Sequence, residues 1–272
     1  MSHVTVRIQA EKQNPLITSH RRTLPLAMVA LLASFLGWNP TARAQHVPLR
    51  SGVSGEVQSA GNNSTQKSDS MEAIGLLVTL EARPGKEADA EAFLKSAEPL
   101  ALNEEGTLKW YAIKFGPGKF GIFDTFANET GRNAHLSGEI AKALGARANE
   151  LFAVAPQVEK MEVLATTPLK DMEAIGLLVT LEARPGKQAD VEVFLKSAQP
   201  VAQNEEGTLK WYAIKFGPGK FGIFDTFSNE TGRNAHLSGE IAKALGTRAN
   251  ELFAVPPQVE KVEVLASTPL KR

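Results

Sequence analysis

Hydrophobic and polar residues alternate over several short stretches of this 272-residue chain. Ala73–Glu81 alternates in this way and is rich in Ile, Leu and Val, which predicts a β-strand. Apolar residues then follow at helical spacing over Glu87–Asn103. Pro99 lies inside this helical stretch and predicts a kink or restart near Ala97, because proline cannot donate the backbone hydrogen bond of a helix interior.

The pattern continues with two more strands, two helical pieces and a last strand. The predicted elements are, in order, a strand Thr107–Phe115, a turn Gly116–Gly118, a strand Phe120–Phe126, a short helix capped by Asn128 or Thr130, a helix capped by Ser137 and ending near Phe152, and a strand Gln157–Ala165. The Gly-Pro-Gly-Lys segment is interpreted as a hairpin turn, since a phosphate-binding loop needs a different spacing and a helix after it. The resulting order is βαββαβ, with both helices expected on one face of a four-stranded antiparallel sheet.

This pattern occurs twice. Met71–Lys170 aligns without a gap to Met172–Lys271, and eleven of the 100 aligned positions differ. We therefore expect two ferredoxin-like domains, residues 71–170 and 171–272, in an α+β fold. The predicted strands are apolar on both faces, so the sheet face away from the helices also needs a cover. The sequence predicts that the repeats supply it by pairing sheet to sheet as a barrel within one chain.

The first 44 residues predict a secretory signal peptide. Arg21 and Arg22 precede the apolar run Leu24–Trp38, and Ala42-Arg43-Ala44 then provides a cleavage site after Ala44. An uncleaved N-terminal anchor is the alternative. Residues 45–70 are rich in Gly, Ser, Asn and Gln and predict a flexible linker. The expected location is therefore periplasmic or secreted.

Charge and cysteine content exclude several classes of function. The full chain has formal net charge zero, and the five basic residues and one acidic residue in the first 44 leave −4 for the remainder. This balance gives no electrostatic reason to expect a nucleic acid or, after cleavage, a membrane surface as partner. The absence of Cys excludes disulfides, a thiolate nucleophile and a cysteine-based metal site.

Each repeat also resembles a known family. The segments ARPGK, EADAEAFL, GTLKWYAIKF and FGIFDTF-x-x-E-x-x-R-x-A-H-L are similar to those of the antibiotic biosynthesis monooxygenase family of dimeric α+β barrels. The resemblance implies oxidation of a quinol or another aromatic substrate with O2, without a metal or organic cofactor. Many members have Trp where this chain has Phe126 and Phe227, so the haem-degrading branch of the superfamily is disfavoured.

The candidate site lies on the second and third strands and the helix after them. His135 and His236 are the only histidines of their repeats and are predicted to be catalytic, because the pKa of imidazole lies near ambient pH. A histidine that caps a helix or fills the core is the alternative. The predicted substrate-binding residues are Trp110, Asp124 and Phe126 of the first repeat and Trp211, Asp225 and Phe227 of the second.

Each of these residues also has a plainer interpretation. Trp110 and Tyr111 adjoin on a strand and must face opposite sides, and both could be packing residues. Asp124 lies among apolar neighbours and needs a partner, for which Arg132 or Lys114 is predicted. No second histidine or acidic residue lies at helical ligand spacing around His135, so no metal site is expected.

The sequence thus favours a cofactor-independent monooxygenase that oxidises a quinol or another aromatic molecule. A non-catalytic exported barrel that binds a small ligand or is associated with stress is the alternative, and a structural assembly unit is a third. An intramolecular pseudo-dimer is expected, with further oligomerisation left open.

Overall fold

The structure, a computed structural model, describes residues 72–271. The predicted signal peptide of residues 1–44 and the predicted linker of residues 45–70 lie outside this range. Within residues 72–271, no helix is long and apolar enough to cross a membrane.

Eight strands and seven helices form in the described residues. The first repeat contains β1 (Ile74–Glu81), α1 (Glu87–Ser96), α2 (Glu98–Asn103), β2 (Thr107–Gly116), β3 (Lys119–Phe126), α3 (Glu129–Leu136), α4 (Glu139–Leu151) and β4 (Gln157–Thr166). The second repeat contains β5 (Ile175–Glu182), α5 (Gln188–Asn204), β6 (Lys210–Gly217), β7 (Lys220–Phe227), α6 (Glu230–Leu237), α7 (Glu240–Leu252) and β8 (Gln258–Ser267). The predicted element order is confirmed in both repeats.

The predicted helix break and helix caps have mixed outcomes. The helix of the first repeat restarts at Ala97 as predicted, but α5 of the second repeat runs unbroken through Pro200. Asn128 caps α3, as predicted. Ser137 does not cap α4: the N-cap residue is Gly138, and the Ser137 hydroxyl instead donates back to carbonyls of α3.

All eight strands belong to one closed antiparallel barrel in the order β1-β3-β2-β8-β5-β7-β6-β4, with the helices outside. The predicted fold class, two ferredoxin-like repeats that pair sheet to sheet as a dimeric α+β barrel, is therefore wrong. Edge strands of the two repeats are joined by backbone hydrogen bonds, β2 to β8 and β4 to β6. Closure of this kind leaves none of the eight strands with a free edge.

Closure explains why the strands are apolar on both faces. One face of each strand points into the barrel, where the rings of Phe123 and Phe224 lie 4.4 Å apart and Tyr111 and Tyr212 pack against them. The other face packs against the helices in two equivalent cores, one for each repeat. The hairpin turn between β2 and β3 requires Gly118, whose φ of 73° is unfavourable for residues with a side chain.

One end of the barrel interior is polar and connects the two repeats. Glu72 accepts hydrogen bonds from Lys210 Nζ at 2.5 Å and from the Tyr212 hydroxyl at 2.6 Å, both in the other repeat. Glu173 binds Lys109 and Tyr111 in the same way, with both distances at 2.6 Å. Both lysine side chains are 1% exposed. This cross-repeat network is buried, so removing either partner would leave an uncompensated charge inside the barrel.

Candidate active site

The alternation of β2 and β3 determines which side chains face the helices. Trp110 pairs with Asp124 across the two strands, and Tyr111 pairs with Phe123. Because neighbours on a strand face opposite sides, Trp110 and Asp124 point outward and Tyr111 and Phe123 point into the barrel. The prediction that Trp110 and Tyr111 face opposite sides is confirmed, with the two residues in different cores.

Helix α3 approaches this face through a close backbone contact. Asn128 Oδ1 accepts hydrogen bonds from the amides of Thr130 and Gly131 and fixes where the helix begins. Gly131 then packs directly on Gly106, and a Cβ added to Gly131 would lie 2.8 Å from the Gly106 carbonyl oxygen. The absence of side chains at this contact therefore lets His135, one helical turn later, reach the sheet.

His135 lies between two carboxylates. Its Nδ1 is 2.6 Å from Glu104 Oε2, and its Nε2 is 3.2 Å from Asp124 Oδ2. The Thr107 hydroxyl donates to the same Glu104 oxygen at 2.8 Å. The second repeat reproduces this arrangement with His236, Glu205, Asp225 and Thr208 at matching distances. We call each set the Glu-His-Asp cluster.

Burial and charge act in opposite directions on these clusters. Burial disfavours the charged imidazolium, but the charges and hydrogen bonds of Asp124 and Glu104 outweigh it and raise the pKa of His135 to about 10. The pKa of His236 is likewise raised to about 10. Each histidine is therefore a cation at neutral pH, held by carboxylates at both ring nitrogens.

The two carboxylates of a cluster differ in environment. Asp124 is fully buried, and burial raises its pKa although His135 opposes the shift. Burial also acts to raise the pKa of Glu104, but the hydrogen bonds from His135 and Thr107 overcome it and leave that pKa below its usual value. The surroundings thus favour the ionised form of Glu104 and disfavour the ionised form of Asp124.

The structure brings some of the predicted site residues together and leaves others apart. Phe126 lies beside His135 with ring centres 5.3 Å apart, and Phe227 and His236 lie 5.4 Å apart. Trp110 and Trp211 are fully buried in the helix-side cores, and their indole nitrogens have no hydrogen-bond partner. Each tryptophan is therefore a packing residue of its helix-side core in this structure.

The predicted partner of Asp124 is wrong. Arg132 pairs with Glu129 and Lys114 pairs with Glu91, whereas Asp124 pairs with His135. Sequence reasoning also missed Glu104 and Glu205. Each lies in the connection before a strand, where periodicity gives no signal. Identity between the repeats gives none either, because only eleven of the 100 aligned positions differ.

A surface pocket of about 1030 Å³ adjoins the second cluster. Its wall includes Pro200, Val201, Glu205, Ser228, Asn229 and His236. Asp225 and Trp211 are fully buried and do not line this pocket. A molecule in the pocket would thus meet the imidazolium of His236 and the carboxylate of Glu205.

This arrangement places a positive charge next to a carboxylate at the pocket wall, with both N–H groups of the imidazolium facing the cluster's own carboxyl groups. A cation in a partly buried pocket lowers the pKa of a bound hydroxyl group, because it stabilises the oxyanion. The Oε1 atom of Glu205 is buried and has no hydrogen-bond partner in the protein, so it is the oxygen of this carboxylate that is left to accept a proton. Within residues 72–271, no group of three or more acidic or histidine side chains is arranged to hold a metal ion.

No protein-family model matches the chain, and no curated protein matches it. Solved structures do match. The chain is similar to a proposed monooxygenase from Fusobacterium nucleatum, with TM-score 0.63, 16% identity and coverage of 72% of this chain and 94% of that one. A proposed monooxygenase from Lactobacillus acidophilus has TM-score 0.63, 13% identity and coverage of 74% and 97%. An anthrone oxidase-like protein has TM-score 0.53, 13% identity and coverage of 73% and 93%. At these identities the likeness shows the fold.

Proposed function

We propose that this protein is a cofactor-independent monooxygenase that oxidises a quinol or anthrone-type aromatic compound with O2. The Glu-His-Asp cluster at the wall of the second repeat's pocket carries the proposal. The fold that the chain shares with proposed monooxygenases and an anthrone oxidase-like protein adds support.

In the proposed reaction the protein ionises the substrate. Both N–H groups of the His236 imidazolium remain on Glu205 and Asp225, so its positive charge stabilises the substrate's oxyanion through space. Glu205 takes the proton that the substrate's hydroxyl group releases, which for anthrone is the hydroxyl of its anthrol tautomer. The electron-rich anion then transfers one electron to O2, and the resulting radical pair joins to form a carbon–oxygen bond. The peroxide anion takes back the single proton held by Glu205. The hydroperoxide then loses water together with the hydrogen on the same carbon, which leaves a carbonyl group. One oxygen atom of O2 thus remains in the quinone product and the other leaves in water.

Oxygen uptake with anthrone and with 1,4-dihydroxynaphthalene tests this proposal. With anthrone we expect one O2 consumed for each anthraquinone formed. A His135→Gln/His236→Gln variant should lower kcat/KM by roughly 100-fold, because each site loses a preorganised positive charge. Asn133→Ala/Asn234→Ala provides the matched control, since these exposed residues lie on the same helices. No O2 uptake above the uncatalysed rate would refute the proposal.

One observation favours a non-catalytic ligand-binding protein as the second candidate. Both ring nitrogens of each histidine are already bound by carboxylates, an arrangement that also suits a purely structural ion cluster. Saturable binding of 1,4-dihydroxynaphthalene without O2 uptake would support this candidate.

A further inference from the structure

The two repeats differ at the rim of the pocket beside the second cluster. Two of the eleven differing positions supply side chains to the wall: Val201 replaces Leu100, and Ser228 replaces Ala127. The Glu, His and Asp of the cluster are the same in both repeats. The chemistry of the cluster is therefore shared, whereas the walls that would hold a ligand are not.

Each replacement changes what the wall can accept. Val201 is one methylene shorter than Leu100 and leaves more room on the side of the pocket formed by α5. Ser228 adds a hydroxyl group where Ala127 has none, and this hydroxyl accepts a hydrogen bond from Asn229 Nδ2 at 3.2 Å. The second repeat thus combines extra space with a hydroxyl able to donate to a ligand oxygen.

A third difference fixes the helix that forms this wall. Gln199 donates from Nε2 to the carbonyl of Thr166 at 2.7 Å. The equivalent Glu98 cannot donate when it is ionised, and its helix is interrupted at Ala97. In the second repeat the helix is continuous, and the Gln199 hydrogen bond holds it against β4 where Val201 lines the pocket.

We propose that the two repeats have diverged and that the second repeat holds the ligand-binding site, with Gln199, Val201 and Ser228 as its specificity-determining residues. This inference rests on the proposed function for the substrate class, a planar hydroxylated aromatic molecule. Pro200 and Val201 contact the ring, Ser228 binds one oxygen, and His236 faces the oxygen that ionises.

Anaerobic calorimetry with 1,4-dihydroxynaphthalene tests the inference, because the probe is not oxidised without O2. The parent chain should bind one molecule per chain. Val201→Leu/Ser228→Ala gives the second repeat the wall of the first and should weaken binding at least tenfold, the order of effect of one misplaced methylene in a pocket. Thr247→Ala is the matched control: it also converts the second repeat to the first, but at an exposed position on α7, and should bind as the parent does.

The reciprocal variant Glu98→Gln/Leu100→Val/Ala127→Ser should raise the stoichiometry towards two. Two sites in the parent, no binding, or parent-like affinity in Val201→Leu/Ser228→Ala would overturn the inference. A reciprocal variant that still binds one molecule would overturn the assignment of these three residues. Oxygen uptake is measured separately, so one-site binding without turnover would refute the monooxygenase and leave the divergence standing.

Discussion

The Glu-His-Asp clusters should make the stability of the barrel fall at alkaline pH. The pKa of His135 is raised from 6.5 to about 10 in the folded protein, so the folded state binds a proton that the unfolded state releases. A group of this kind contributes its full stabilisation below pH 6.5 and loses it as the pH rises to about 10. His236 behaves in the same way.

The size of the effect follows from the two pKa values. At about 1.4 kcal/mol per pH unit, the shift corresponds to an upper bound of about 5 kcal/mol for each histidine. Most of this proton release falls between pH 7, where the unfolded histidine is already largely neutral, and pH 10, where the folded histidine is about half titrated. We therefore expect a net loss of about 2 to 4 kcal/mol per cluster between pH 7 and pH 10.

Urea unfolding at half-unit steps from pH 6 to pH 10.5 measures this loss. Other buried groups also titrate: burial lowers the pKa of Lys109 and Lys210, and it raises the pKa of Tyr111 and Tyr212. The decisive quantity is therefore the difference between the parent and His135→Gln/His236→Gln, which retains these lysines and tyrosines. The free energy of unfolding of the parent should exceed that of the variant by less and less as the pH rises. A constant difference between pH 7 and pH 10 would show that the histidines are not charged in the folded state.

Three further predictions follow from the barrel. Lys210→Met should lower the free energy of unfolding, measured with urea, by about 3–5 kcal/mol, because the charge of Glu72 is left buried without a cation. The double variant Lys210→Met/Glu72→Met should recover most of that loss. Equal losses in the two variants would contradict this reasoning. Gly131→Ala should lower the melting temperature because its Cβ meets the backbone of Gly106, whereas Gly145→Ala, in a helix with open space around the site, should raise it slightly. Residues 71–170 expressed alone should have the molar mass of a dimer in light scattering, because β2 and β4 lose the partners that β8 and β6 provide. A stable monomer would contradict this expectation.

The strands, the hairpin turn and the cap of α3 could be predicted because local patterns determine them. Alternation over Ile74–Glu81 and the turn at Gly118 depend on residues a few positions apart. Closure could not be predicted in the same way. Strands that are apolar on both faces fit two packed sheets as well as one barrel, and the choice depends on pairs such as Tyr111 and Ser267 that are far apart in sequence.

The candidate site likewise contains residues that could be predicted from local sequence and one that could not. His135 and Asp124 stood out because a single histidine and a buried carboxylate are unusual in apolar surroundings. Glu104 did not, because it lies in a connection where neither helical nor strand periodicity applies. Its role depends on the contact between Gly106 and Gly131, which no local pattern reveals.

The duplicated chain separates what holds the barrel together from what shapes a ligand site. The cross-repeat network needs Glu72 with Lys210 and Glu173 with Lys109, so a change in either repeat would affect the whole barrel, and these residues are identical in both copies. Each Glu-His-Asp cluster, by contrast, is built from one repeat alone. The wall of one pocket can therefore change, as at Val201 and Ser228, without disturbing barrel closure or the other cluster. This independence is the physical condition under which two copies in one chain can come to bind different ligands.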